Sequence, residues 1–150
     1  MGENEIKKIF VIKRNGRGRE ELDVDKIHDM VEYACEDIKG VSSSQVEMNS
    51  DLQFYDNIPT DQIQQILIKS ASDLISLENP NYQYVAARLL LYSLRKSINR
   101  RLWDHPHLYV HTKKCVELGV YDKEILQWYD ESDFDRMNSM LAHDRDYEFT

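Results

Sequence analysis

The sequence predicts a mostly α fold with a small β element: a bundle of about four helices capped by a β-hairpin or three-stranded sheet, followed by short helices. Three observations carry that expectation. A β-branched and aromatic run, Ile9-Phe10-Val11-Ile12, leads to Asn15-Gly16, a pair that tolerates the positive φ of a tight hairpin turn. Four later segments repeat apolar residues at helical rather than alternating spacing. Between them stand Gly40, Ser42-Ser43-Ser44, Pro59 and Pro80, residues that cap or stop helices.

Each element has its own signal. After the first strand and its turn, Arg17 to Leu22 can return as a second strand, with Gly18 lending slack. Asp23 or Asp25 then caps a helix whose apolar face is Ile27, Met30, Val31, Ala34, Cys35 and Ile38, closed by Gly40. Ser42 with Gln45 fits a capping box for a second helix, which runs through Val46 towards Leu52 and Phe54. Asn57-Ile58-Pro59-Thr60 breaks it, and Thr60 caps a third helix with Ile63, Ile66, Leu67, Ser70, Ala71 and Leu74 inside. Beyond Asn79-Pro80 a fourth helix extends to about Arg100. Its Tyr84, Val85, Ala86, Leu89, Leu90, Ser93 and Leu94 cover more than half the circumference, which places it centrally. The tract from Arg100 to Pro106 marks a boundary, giving domains 1–100 and 101–150. In the second, Leu108, His111, Thr112, Cys115 and Val116 make a shorter helix ended by Gly119. Phe134, Met137 and Leu141 suggest another, and Tyr147 to Thr150 alternate like the start of a strand. This tail reads as the opening of a larger region, incomplete here.

Composition excludes several function classes. With 41% apolar residues the chain can build a core. A net charge of −8 and a pI near 5.1 argue against nucleic acid as a partner, which needs a basic face. No run approaches the ~20 apolar residues of a membrane span, and no signal-peptide core is present, so a soluble cytoplasmic chain without a membrane partner is expected. Cys35 and Cys115 are too few for a zinc site or a disulfide framework and read as buried free thiols. The histidines form no metal box, although His107 and His111 are spaced to share a helical face. Without a G-x-x-x-x-G-K-[ST] loop, nucleotide hydrolysis is not expected, and Gly16-x-Gly18 does not meet the dinucleotide fingerprint.

One segment runs against the overall charge. From Lys7 to Arg19 stand Lys7, Lys8, Lys13, Arg14, Arg17 and Arg19 with no acid between them. Such a local reversal needs an anionic partner or a structural counterpart. Lys13 and Arg14, at the end of a strand beside a glycine turn, suit either a phosphate clamp or a solvated hairpin. Lys96, late in the fourth helix, suits the negative end of the helix dipole. Asp23 and Thr60 read as helix caps, and Val11 and Ile27 as core.

In order along the chain, Val11-Ile12-Lys13-Arg14-Asn15-Gly16, Leu22-Asp23-Val24-Asp25-Lys26-Ile27, Gln53-Phe54-Tyr55-Asp56, Ile68-Lys69-Ser70-Ala71, Pro80 to Leu89 and Leu94-Arg95-Lys96 resemble the ATP-cone. That is the regulatory nucleotide-binding module at the N-terminus of many ribonucleotide reductase large subunits. Leu118-Gly119-Val120-Tyr121-Asp122 and His143-Asp144-Arg145-Asp146 resemble the class I approach to the catalytic barrel. The resemblance implies an allosteric site for ATP or dATP, with Mg²⁺, that controls ribonucleoside-diphosphate reductase through subunit association. It implies as partners the adenine nucleotides, the remainder of the reductase large subunit and the radical-generating small subunit, in a homo-oligomeric complete enzyme. The family's thiyl-radical cysteine, redox cysteine pair and glutamate lie in the barrel beyond this chain, so the chain alone should not reduce ribonucleotides.

Residue by residue, the resemblance makes Lys13 and Arg14 the triphosphate clamp and Lys96 a third phosphate contact. It places Glu20, Asp23 and Lys26 around the adenine and the hairpin lid. A carboxylate or backbone carbonyl accepting from the adenine amino group would exclude guanine, which presents a carbonyl there. Val11 and Ile27 would offer apolar contact to the base, and Thr60 would touch the nucleotide. The chain departs from the family at Gln64, where members inhibited by dATP often carry histidine; glutamine can donate a hydrogen bond but cannot become cationic. Three other readings stand beside this one, the first being the reductase enzyme itself, represented here by its N-terminal part. A degenerate cone could serve only as a helical interaction domain. A transcriptional repressor with an ATP-cone would need a four-cysteine zinc ribbon before the cone, which this N-terminus lacks.

Overall fold

A computed structural model describes residues 8–13, 18–99 and 105–149. They fall into two compact units, divided between Leu94 and Arg95. The fold is mostly helical with a three-stranded mixed sheet, as the sequence predicts. In the first unit, strands β1 (Phe10–Ile12) and β2 (Arg19–Glu21) precede helices α1 (Val24–Cys35) and α2 (Ser43–Asp51). Strand β3 (Ile58–Pro59) runs directly into α3 (Thr60–Asp73), and α4 (Tyr82–Asn99) closes the unit and continues into the second.

The sheet has the order β2-β1-β3. β1 and β2 are antiparallel, with Val11 opposite Glu20 and Ile12 opposite Arg19. Lys13 N–H donates to the Gly18 carbonyl at 3.1 Å, and Leu22 N–H to the Ile9 carbonyl at 2.8 Å. The expected Asn15-Gly16 turn lies outside the described residues. β3 pairs parallel to β1, setting Val11 beside Ile58 and Ile12 beside Pro59. Its register is fixed by a turn that takes both backbone groups of Phe10. The Asp56 carboxylate accepts from Phe10 N–H at 2.9 Å, and Asn57 N–H donates to the Phe10 carbonyl at 2.8 Å. Asn57 does this with φ 64, which an asparagine tolerates better than a β-branched residue.

Helix boundaries follow the sequence in part. Asp23 caps α1, its Oδ1 accepting from Lys26 N–H at 3.2 Å. α1 stops at Cys35, about a turn before Gly40. Asp37 turns left-handed (φ 59), and the Arg88 guanidinium donates to the carbonyls of Ala34 and Glu36 at 3.4 and 2.6 Å, satisfying groups the helix leaves open. The capping box expected at Ser42 does not form. The Ser42 side chain makes no cap bond, its N–H donates to the Tyr82 hydroxyl, and that hydroxyl donates to Gln45. The cap of α3 is Pro59, so Thr60 is the first helical residue rather than the cap.

The core of this unit is Val11, Ile58, Ile27, Met30, Val31, Ala34, Val46, Ile63, Leu67, Ala71, Val85, Ala86 and Leu89, with Tyr82 and Tyr92 also buried. α4 is narrower in its packing than its sequence suggests. Tyr84, Leu90 and Leu94 are exposed, while the two tyrosines fill inward positions. Cys35 is half-buried rather than fully buried, and burial pushes its thiol up to about 11, a poor nucleophile at neutral pH.

α1 and α2 share an ionic bridge with a definite pH signature. His28 Nδ1 lies 2.9 Å from Glu47, with Glu32 at 3.8 Å from Nε2. The hydrogen bond to Glu47, chiefly, raises the imidazole pKa, and the charges of Glu32 and Asp29 add to it. A raised folded-state pKa gives stability that is full below the ordinary histidine value and lost as pH rises through the folded value. The urea midpoint of the chain is therefore expected to rise from pH 8 to pH 6 by more than that of His28→Gln. Equal pH dependence in the two proteins would show that the bridge contributes nothing.

The second unit holds α5 (Leu108–Glu117), α6 (Ile125–Trp128), α7 (Glu131–Ser139) and a 3₁₀ helix, His143–Phe149. Phe134 is its buried centre, with the Tyr109 and Tyr129 rings at 5.4 and 6.4 Å. Gly119 turns at φ 72 just after α5, as expected. The strand expected at the chain's end is instead the 3₁₀ helix. No strand edge exists among the described residues of this unit to pair with it, and Arg95 holds the turn by donating to Asp146 at 2.7 Å. His107 and His111 each have a contact of their own. His107 caps α5 and lies 3.3 Å from Asp135, whereas His111 contacts the half-buried Cys115 at 3.5 Å. No helix among the described residues is long and apolar enough to cross a membrane.

Candidate functional site at the hairpin end of the sheet

The strand pleat sets Val11 on the core side of the sheet, only 4% exposed, and puts Lys13, two residues on, on the same side at the rim. Opposite Val11 stands Glu20, whose carboxylate lies 2.7 Å from the Lys13 ammonium. The N-terminus of α1 joins this edge. Lys26 pairs with Asp23 at 2.8 Å, a bond that lowers the Asp23 pKa and raises that of Lys26, and Glu20 adds to the latter. Ile27, next along, is buried. The start of α3 arrives from the other flank: Ile12 pairs with Pro59, so Lys13 and the half-buried Thr60 leave the sheet side by side.

Gln64 lies one turn into α3 and is only 2% exposed, its amide donating to the Met30 sulfur at 3.2 Å. The fold thus gathers Val11, Lys13, Glu20, Asp23, Lys26, Ile27, Thr60 and Gln64 at one end of the first unit. Val11, Ile27 and Gln64 stand beneath its surface and the charged groups upon it. Arg14 lies outside the described residues. Lys96 belongs to the second compact unit and is half-buried in the last turn of α4, where the helix dipole favours a cation.

The basic run finds counterparts that single-residue reading missed. Lys8 pairs with Glu21 at 3.0 Å, and Arg19 with Asp56 at 3.2 Å. The Arg19 guanidinium also stacks 3.9 Å from the centre of the Phe10 ring. Asp56 is held below the usual carboxylate range first by Phe10 N–H and then by Arg19, with burial opposing. This second set lies on the Phe10 side of the sheet and anchors the turn before β3. The Glu20 and Glu21 pairs were legible in principle: a turn centred on residues 15 and 16 sets 20 and 21 opposite 11 and 10. Nothing local signals the reach of Asp56.

Chemically, the hairpin end can attract an anion. Exposed ion pairs contribute little to stability, so Lys13 and Lys26 can exchange a carboxylate for a phosphate at small cost. The first turn of α3 offers backbone N–H groups that no side chain caps. Among the described residues no group of three or more His, Cys, Asp or Glu could hold a metal ion.

Comparison with known proteins places these features in a wider set. The ATP cone domain family model matches residues 9–97, a span that contains all ten candidate site residues from Val11 to Lys96. Ribonucleoside-diphosphate reductase 1 subunit alpha of Salmonella typhimurium is 46% identical over 142 residues, covering 95% of this chain and 18% of that protein. The corresponding subunit of Escherichia coli is 44% identical over the same coverage. Ribonucleoside-diphosphate reductase subunit alpha of Haemophilus influenzae is 42% identical over 144 residues, 96% of this chain and 19% of its own. The chain spans less than a fifth of the length of these relatives.

Proposed function

This chain belongs to the ATP-cone domain family, and from that premise we propose that its hairpin end binds ATP or dATP as an allosteric effector of ribonucleoside-diphosphate reductase. The observation that carries the reading is the pairing of exchangeable cations, Lys13 and Lys26, with the apolar Val11 and Ile27 beneath them and the uncapped start of α3 beside them. Lys13 takes the phosphates, the family resemblance adds Arg14 and Lys96 as further phosphate contacts, and Thr60 opens the helix whose positive end favours anions. The base lies towards Val11 and Ile27, where Glu20 or Asp23 accepts from the adenine amino group. A guanine carbonyl would meet that carboxylate with two acceptors and no proton. Mg²⁺ fits this site only as a passenger on the phosphate oxygens, because the described residues gather no metal-binding set of their own. Residues 1–100 are the regulatory domain in this reading, and 101–150 begin the catalytic region of a longer large subunit in the cytoplasm.

Regulation follows from differential affinity. A nucleotide changes activity only if it binds one association state better than another, since equal affinity shifts nothing. The states in question are homo-oligomers of the large subunit and its complex with the radical-generating small subunit. Gln64 tests the link. A histidine there would be pushed towards neutrality by its burial, and bound phosphates would favour its protonated form. Gln64→His is therefore expected to tighten dATP binding, more at pH 6 than at pH 8, and by less than the loss in Arg14→Ala. Parallel dATP titration, with assembly size measured in the complete reductase, checks this. Equal or weaker dATP binding by the variant would show that position 64 does not reach the ligand, and an assembly indifferent to nucleotide would remove the regulatory role.

A further inference from the structure

We propose that Glu20 competes with an incoming triphosphate for the Lys13 ammonium and thereby sets the affinity of this edge for polyphosphates. The inference rests on the nucleotide-binding reading above and adds to it a brake supplied by the chain itself. The Lys13–Glu20 contact is short, 2.7 Å, yet both side chains are about half exposed, at 53% and 46%. A pair of that kind is formed but loosely held. Glu20 stays within reach of it, because the β1–β2 register pins its backbone opposite Val11. Its charge is also felt at Lys26, whose main partner is Asp23. One carboxylate therefore faces both described cations of this edge, and phosphate oxygens must compete with it for Lys13.

Displacement has a second consequence. Once a phosphate takes Lys13, the Glu20 carboxylate is released to accept from an adenine amino group. Phosphate and base recognition are thus coupled through one side chain. Glutamine at position 20 keeps an oxygen for the amino group but no charge for Lys13, so Glu20→Gln separates the two roles. The chain also supplies its own control. Glu21 is the next residue, pairs with Lys8 at 3.0 Å and is similarly exposed, but it stands opposite Phe10 on the other face of the sheet. Glu21→Gln changes net charge by the same amount without touching Lys13.

The experiment titrates the wild-type chain, Glu20→Gln, Glu21→Gln and Glu20→Gln/Lys13→Gln with sodium tripolyphosphate, without Mg²⁺, and in parallel with ATP. Glu20→Gln is expected to bind tripolyphosphate about two- to fivefold tighter than wild type at low salt. Glu21→Gln should match wild type, and adding Lys13→Gln should remove the gain. The gain should also fade near ~1 M salt, where exposed charges are screened. Tripolyphosphate binding by Glu20→Gln that is absent, equal or weaker, or an equal gain in Glu21→Gln, overturns the proposal. If ATP still binds the wild type in that case, the nucleotide-binding reading stands without the brake; if ATP binds none of the proteins, both fall.

Discussion

Alanine at Arg14 or at Lys96 is expected to weaken ATP binding by roughly 10- to 100-fold, the largest functional effect of any single substitution in this chain. Charge-assisted hydrogen bonds contribute about 1.5–3 kcal/mol each, and a triphosphate offers acceptors that match both cations. Lys13→Ala should cost less, because in the wild type Glu20 competes for that ammonium. Neither Arg14 nor Lys96 belongs to an apolar face of the sequence, so both variants should unfold near the wild-type urea midpoint. Calorimetric titration reads the affinities directly. Wild-type affinity in both variants would move the phosphate site elsewhere.

The second large effect concerns the scaffold. Leu67 is fully buried in the middle of α3. Leu67→Ala should lower stability by about 2–5 kcal/mol, from the lost transfer energy and the cavity left behind. Against a usual total of about 5–15 kcal/mol for a domain, that is a large fraction. The same helix begins at Thr60 and carries Gln64, so loosening it also loosens one flank of the candidate site. Leu77→Ala provides the comparison, since Leu77 is fully exposed and should unfold like wild type. Urea denaturation separates the two, and a loss below about 1 kcal/mol at Leu67 would contradict the packing described.

The regular parts of this fold are legible because their signals are local. The Phe10–Ile12 strand, the Asp23 cap, the Ile27–Met30–Val31–Ala34 face and the Gly119 stop each depend on neighbours within a turn or two. Apart from the cap of α3, which falls one residue early at Pro59, the main misses are cases where a distant residue decides. β3 is two residues long, too short for alternation, and exists because Asp56 and Asn57 grip Phe10. α1 ends early because Arg88, on α4, satisfies its last carbonyls. Tyr82 replaces the expected capping box, and its own burial was hidden behind the apolar neighbours that define the helix period.

The candidate site divides the same way. Lys13 and Lys26 are visible in the sequence as cations near a turn and a helix start. Their pairing with Glu20 and Asp23 needs the register of the hairpin and the geometry of the cap. Gln64 stands out only against a family pattern, and nothing in its own neighbourhood announces that it is buried against Met30.

The central claim is that this chain recognises adenine nucleoside triphosphates without consuming them. It is tested most directly by titrating the 150-residue chain with ATP, dATP and GTP in the presence of Mg²⁺ and assaying the recovered nucleotide. Saturable binding of ATP and dATP, weaker binding of GTP and recovery of intact triphosphate are the results expected. An absence of heat with both ATP and dATP would contradict the account.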